Sequence, residues 1–132
     1  MAKLIHTMIR VQDLQRSLRF YQQAFGLDVS HRLDFPDFTL AYLRNAETDT
    51  EIELTWNKGH DEPYTHGDGY GHVAVCVDDV RTERQRLIDL GYTPNDLREF
   101  HADDGALIAR YFFIQDPDGY KIEVLERHGH YG

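Results

Sequence analysis

The chain is written twice over. A strand-like alternation, Leu4-Ile5-His6-Thr7-Met8-Ile9-Arg10-Val11, is followed by Asp13 and by apolar residues at helical spacing, Leu14, Leu18, Tyr21 and Phe25, ending at Gly26. The series recurs as His72-Val73-Ala74-Val75-Cys76-Val77, then Asp79, then Val80, Leu87 and Leu90, ending at Gly91. His6 precedes Asp13 by seven positions and His72 precedes Asp79 by seven; His6 stands 20 before Gly26 and His72 stands 19 before Gly91. Such a duplication restricts the fold to two similar modules, because each copy has the same pattern to bury. Asp13 suits a helix N-cap and Gly26 the residue just past a helix end.

Each copy continues through weaker strands, at Thr39–Leu43 and Glu51–Trp56 in the first and at Ala109–Ile114 and Lys121–Leu125 in the second. Asp116-Pro117-Asp118-Gly119 reads as the tight turn between the last two. Each half is therefore β-α-β-β, with a further strand that the pattern does not place. The polar stretch Gly59–Gly71 reads as a linker, so residues 1–132 form a single domain of two pseudo-repeats, about 1–58 and 71–127. A chain of 132 residues with 41% hydrophobic content has one core to build and too little length for two independent domains.

Strand parity sorts the polar residues. His6, Met8 and Arg10 share a face opposite Ile5, Ile9 and Val11, and Glu53 and Asn57 share one opposite Ile52, Leu54 and Trp56. His72, Ala74 and Cys76 oppose Val73, Val75 and Val77, and Glu123 opposes Ile122 and Val124. Four strands thus pair an apolar face, expected to pack under a helix, with a face carrying one His or Glu. His6 and Glu53 are 47 positions apart, His72 and Glu123 51, so each half opens on a His and closes on a Glu. If a rough twofold relates the halves, these four converge on one cavity. Two neutral imidazoles and two carboxylates carry charge −2, which matches a divalent ion. A set without thiolate suits Ni, Co, Zn, Fe or Mn and is wrong for a structural zinc site.

The net charge of −9 opposes nucleic-acid binding, which needs positive stripes. No stretch approaches the roughly 20 apolar residues of a membrane span. Met1-Ala2-Lys3 leads into the first alternation without a signal-peptide pattern, and one cysteine, Cys76, forms no internal disulfide, which fits the cytoplasm.

The blocks His6-Thr7-Met8-Ile9-Arg10-Val11-Gln12-Asp13-Leu14, Ser17 to Tyr21, Ile52-Glu53-Leu54-Thr55-Trp56-Asn57, Gly71-His72-Val73-Ala74 and Gln115-Asp116-Pro117-Asp118-Gly119-Tyr120-Lys121-Ile122-Glu123 resemble the glyoxalase I (lactoylglutathione lyase) family of the vicinal oxygen chelate superfamily, in its compact bacterial form. The resemblance implies an α+β fold of two tandem βαβββ modules, whose mixed, curved sheets form a metal cavity. It implies metal ligation by His6, Glu53, His72 and Glu123, with Ni²⁺ or Co²⁺ as the usual activator and Zn²⁺ as a further candidate. The implied activity is isomerisation of the methylglyoxal–glutathione hemithioacetal to S-lactoylglutathione through a metal-bound cis-enediolate. Glu123 is then the catalytic base for one enantiomer and Glu53 for the other. Arg10 and Asn57 match positions that contact glutathione, the co-substrate. A homodimer with interfacial sites is implied as well.

One departure stands out. Glutathione enzymes of this family carry a Lys-Gly turn where this chain has Ala106-Leu107-Ile108-Ala109-Arg110, leaving Arg110 as the available substitute. Competing readings are a related metalloenzyme, for thiol transfer or ring-cleaving dioxygenation, and a metal-free small-molecule binding protein of the same fold. The former needs only two His and one Glu, and the latter lacks the set. Cys76 reads as a buried, unreactive thiol, Trp56 and Phe20 as core, and His60, His66 and His101 as solvated loop residues. One of Tyr111, Phe112 and Phe113 is expected to line the pocket.

Overall fold

The computed structural model describes all residues, Met1–Gly132, which form two compact units, Met1–Thr65 and His66–Gly132. The first unit runs β1 (His6–Val11), α1 (Leu14–Phe25), β2 (Asp28–Asp34), β3 (Phe38–Arg44) and β4 (Glu51–Asn57). The second runs β5 (Val73–Val77), α2 (Val80–Asp89), β6 (Arg98–His101), β7 (Leu107–Gln115) and β8 (Lys121–Glu126). Each unit is βαβββ, and the boundary between them falls inside the stretch read as a linker.

The two sheets share one plan, β1-β4-β3-β2 and β5-β8-β7-β6. First and last strands of a unit pair in parallel, and the other neighbours pair antiparallel. Both sheets are therefore mixed, and the architecture is the expected α+β fold. The strands that the sequence pattern did not place are β2 and β6. Both are sheet edges on which every residue is exposed, so neither shows the alternation that burial of one face imposes.

In the first unit α1 packs across β2 and β4 and buries Leu14, Ser17, Phe20, Tyr21 and Ala24. The facing sheet contributes Ile9, Val11, Ala41, Leu43 and Leu54, all buried. Asp13 Oδ1 accepts the Arg16 N–H at 3.1 Å, and Gly26, at φ +63°, takes the left-handed conformation that a side chain would strain.

Packing in the second unit is thinner. From α2 only Val80 and Leu87 are buried, against a sheet side that includes Phe112, Ile114, Ile122 and Val124. Leu90, expected on the helix's apolar row, is exposed because it is the cap residue, beyond the last turn facing the sheet. Asp79 Oδ1 accepts from Arg81 and Thr82 at 2.9 and 3.1 Å. Past the helix end, the N–H groups of Gly91 and Tyr92 reach the carbonyls of Ile88 and Leu87. Val73, Val75 and Val77 are half-buried, short of the fully packed apolar face expected of β5. The Asp116–Gly119 turn is present: buried Asp116 accepts the N–H groups of Asp118 and Tyr120, both at 2.9 Å. No helix is long and apolar enough to cross a membrane.

Candidate functional site

In the first unit the parallel register sets Met8 beside Glu53, so His6 stands one step earlier on the same face of β1. The His6 Nε2 lies 3.4 Å from Glu53 Oε1. Because β4 is interior to the sheet, Glu53 is buried, and its carboxylate accepts a hydrogen bond from a neighbouring hydroxyl. Thr55, two residues along the same face, donates from Oγ1 to Glu53 Oε2 at 3.1 Å. Tyr42 stands directly opposite Glu53 on β3. The Tyr42 pKa is raised above its ordinary value, first by its interaction with the neighbouring Glu53 carboxylate. Loss of solvent and the charges of Glu53 and Glu51 push the same way. The Tyr42 ring also meets the His6 ring edge-on, at 5.5 Å between centroids.

The second unit repeats this construction with different neighbours. His72 falls just before β5 rather than inside it, yet Ala74 pairs with Glu123 as Met8 pairs with Glu53. His72 Nε2 lies 3.5 Å from Glu123 Oε1. The residue opposite Glu123 is Phe113, whose ring meets His72 edge-on at 5.3 Å. Leu125 takes the place corresponding to Thr55 and is buried. A cavity of about 470 Å³ opens here, lined by His72, Glu123, Tyr111, Phe100, Leu125 and Tyr131 among others. Tyr111 is thus the wall residue of the Tyr111–Phe113 trio, whereas Phe112 points to the opposite side and is fully buried.

The donor geometry fits a shared cation. Neutral N–H···O bonds run about 2.7–3.2 Å, so both His–Glu separations, 3.4 and 3.5 Å, are long for a hydrogen bond. Two donors each about 2.1 Å from one zinc-sized ion, at octahedral to tetrahedral angles, stand about 3.0–3.4 Å apart. Imidazole nitrogen and carboxylate oxygen are the donor types such an ion takes. Within neither unit do three His, Cys, Asp or Glu side chains gather as a complete ligand set. Each unit carries one His–Glu pair, half of the predicted quartet.

Arg10 and Asn57 share the face of His6 and Glu53 by strand parity. Arg10 is exposed beside Thr55, and Asn57 Nδ2 donates to the Tyr64 hydroxyl at 3.1 Å. Arg110 does not serve as a substitute for the missing Lys-Gly turn. It lies on the face opposite Tyr111 and Phe113, and its guanidinium is engaged by Glu99 and Glu126, each at 3.2 Å.

Other sequence expectations need correction too. Cys76 and Trp56 are half-buried, because neither β5 nor the end of β4 is fully covered. His66 is not a solvated loop residue: its ring stacks on Tyr120 at 4.0 Å and its Nε2 is buried. His60 is exposed and stacks on Tyr64 at 4.1 Å, and His101 is exposed beside Glu99. Sequence reasoning missed Tyr42 and Thr55. The second carried a signal, since it shares the parity of Glu53. The first requires the β3–β4 register, which no local pattern supplies.

A family model described as the Glyoxalase/Bleomycin resistance protein/Dioxygenase superfamily matches residues 3–124. The lactoylglutathione lyase of Haemophilus influenzae is 42% identical over 130 residues, covering 94% of this chain and 92% of that protein. The lactoylglutathione lyase of Neisseria meningitidis serogroup A is likewise 42% identical, covering 95% and 91%. Among solved structures, the trypanothione-dependent glyoxalase I of Leishmania major superposes with a TM-score of 0.77 at 34% identity, covering 96% of this chain and 87% of that one. Glyoxalase I from Zea mays gives 0.81 at 31% identity, with 96% of this chain covered and 45% of that longer one. The duplicated βαβββ plan, the paired His and Glu residues and these relatives agree: the chain belongs to the Glyoxalase/Bleomycin resistance protein/Dioxygenase superfamily, among its enzymes of the glyoxalase I type.

Proposed function

We propose that this enzyme isomerises the hemithioacetal of methylglyoxal and glutathione to S-lactoylglutathione, using one divalent ion held by His6, Glu53, His72 and Glu123. The observation that carries this reading is the pair of repeat-equivalent His–Glu couples, 3.4 and 3.5 Å apart, each with its His at the start of a first strand and its Glu on a last strand. Relatives named lactoylglutathione lyase at 42% identity over nearly the whole chain support the reaction class. Nickel or cobalt is the ion that the family resemblance implies, and an all-N/O donor set is compatible with either. When bound, a divalent ion supplies Lewis acidity and a template for two neighbouring substrate oxygens.

The chain's own residues supply the proton chemistry. A carboxylate removes the proton from the carbon bearing sulfur and hydroxyl, the C–H electron pair passes toward the neighbouring carbonyl, and the same proton is returned to that neighbouring carbon, while the hydroxyl proton moves to the former carbonyl oxygen and the first carbon becomes the thioester carbonyl. Glu123 is the carboxylate suited to this, because it borders the cavity of about 470 Å³ in which a substrate has room. Glu53 is the alternative base for the other enantiomer. Arg10 and Asn57 are assigned to the thiol's peptide portion, as cation and amide on the face of His6 and Glu53. The same reading makes the enzyme a cytoplasmic homodimer, with first-unit and second-unit ligands meeting at the subunit interface.

Stripping the protein with a chelator, restoring Ni²⁺, Co²⁺, Zn²⁺ or Mn²⁺ singly, and following thioester formation from methylglyoxal plus glutathione tests the proposal. Turnover is expected with at least one ion and none in the stripped protein. Full activity without metal would refute the metal assignment, and inactivity with every ion would refute the reaction.

A further inference from the structure

His6 lies inside β1, where the ladder to β4 fixes its backbone, but His72 stands one residue ahead of β5, outside the ladder to β8. A ligand without ladder pairing needs another anchor to hold its orientation. In the first unit the carbonyl just before His6, that of Ile5, accepts the backbone N–H of Glu51, two residues before Glu53. The repeat-equivalent of Glu51 is Lys121, two residues before Glu123. Here a side chain makes the tie: the hydroxyl of Tyr70, two residues before His72, donates to the Lys121 carbonyl at 3.1 Å. The half-buried Tyr70 ring meets the ring of buried Tyr120 edge-on at 5.2 Å, and Tyr120 stacks on His66 at 4.0 Å. The His66 Nε2 is buried without a hydrogen-bond partner, so this imidazole contributes its flat face to the cluster.

We propose that Tyr70 is a positioning residue: its phenol, seated in the His66–Tyr70–Tyr120 cluster, ties the segment entering β5 to the start of β8 and so holds His72 against Glu123. Tyr70 is two residues from His72 and Lys121 two residues from Glu123, so this one hydrogen bond closes a short loop of chain around the couple. Ring packing makes the bond persist. A freely exposed phenol exchanges its partner with water, whereas a ring set against buried Tyr120 leaves its hydroxyl few other acceptors. His72 Nε2 thereby stands 3.5 Å from Glu123 Oε1, close to the 3.4 Å of the first unit, although the two histidines are anchored differently. This inference rests on the reading of His72 and Glu123 as metal-holding residues.

The test compares wild type, Tyr70→Phe and His66→Phe for Ni²⁺ affinity by chelator competition and for both His–Glu separations in crystals of the metal-free protein. Tyr70→Phe removes one oxygen from a half-buried ring, a change the fold tolerates, and with it the bond to Lys121. It is expected to lengthen the His72–Glu123 separation while leaving His6–Glu53 unchanged, and to weaken Ni²⁺ binding by about tenfold, the low end for losing a partner that orients a ligand. His66→Phe keeps a flat ring on Tyr120 and is expected to match wild type throughout. General loosening moves both couples, whereas a lost anchor moves one. If wild type retains no Ni²⁺, the metal reading falls, and the two separations alone decide the role of Tyr70. If Tyr70→Phe matches wild type in affinity and in both separations, or lengthens both alike, the role given to Tyr70 is overturned. If His66→Phe displaces His72 as far as Tyr70→Phe does, the imidazole rather than the phenol is the anchor, and the proposal is overturned as well.

Discussion

Glu53 and Glu123 start from matching backbone positions, each interior to a sheet and each beside a parallel first strand, yet they end in unlike surroundings. The Thr55 hydroxyl and the Tyr42 side chain flank the first; a phenyl ring, a leucine and an open cavity surround the second. Under the proposed function, Glu123, beside the cavity, is the carboxylate whose role a substitution tests most directly. Glu123→Gln keeps the side chain's size and removes its basicity, so kcat is expected to fall by about 10²- to 10⁴-fold, the usual contribution of a general base. Steady-state thioester formation at saturating metal measures this, and a kcat within twofold of wild type would remove Glu123 from the reaction. The two couples, His6 with Glu53 and His72 with Glu123, were legible in the sequence because parity and the repeat select their members. Tyr42 was not, since its relation to Glu53 exists only across the β3–β4 pairing.

Among the elements, the helices were the most legible and the edge strands the least. Asp13 and Asp79 announced both N-termini, because a short acidic side chain before an apolar row has few better uses than capping. The edge strands β2 and β6 left no signal because nothing in them is buried. The α2 cap carries a pH dependence. The Asp79 carboxyl is held below its ordinary pKa, first by the backbone N–H of Thr82, then by that of Arg81, with burial opposing both. A lowered folded-state pKa stabilises the fold above the unfolded value, about 3.9 for Asp, and that contribution is lost as pH falls through the folded value. Melting temperatures followed by circular dichroism should therefore drop on acidification below about pH 4, and less steeply in Asp79→Asn. Parallel curves for the two proteins would show that the cap contributes nothing in acid.

At the scale of the whole molecule, duplication explains why so much of the plan was readable: every pattern seen once could be checked against its copy. Association left no comparable pattern in the residues themselves: exposed Val29 and Leu33 in the first unit and Phe100 in the second lie on the edge strands β2 and β6, which carry no sequence signature. The proposed homodimer predicts a sedimenting species of twice the 132-residue chain's mass at micromolar concentration. A monomer at that concentration with full turnover would refute interfacial sites.

Each His–Glu couple joins the opening strand of a unit to its closing one, and this sets an order of events during synthesis. His6 leaves the ribosome 47 residues before Glu53, and His72 51 residues before Glu123. Parallel pairing across such a distance waits for the intervening helix and hairpins. A growing unit thus displays a lone imidazole until it is complete; under the proposed function, ion loading would then be a last step that inspects finished folding, since a truncated unit has half a couple to offer.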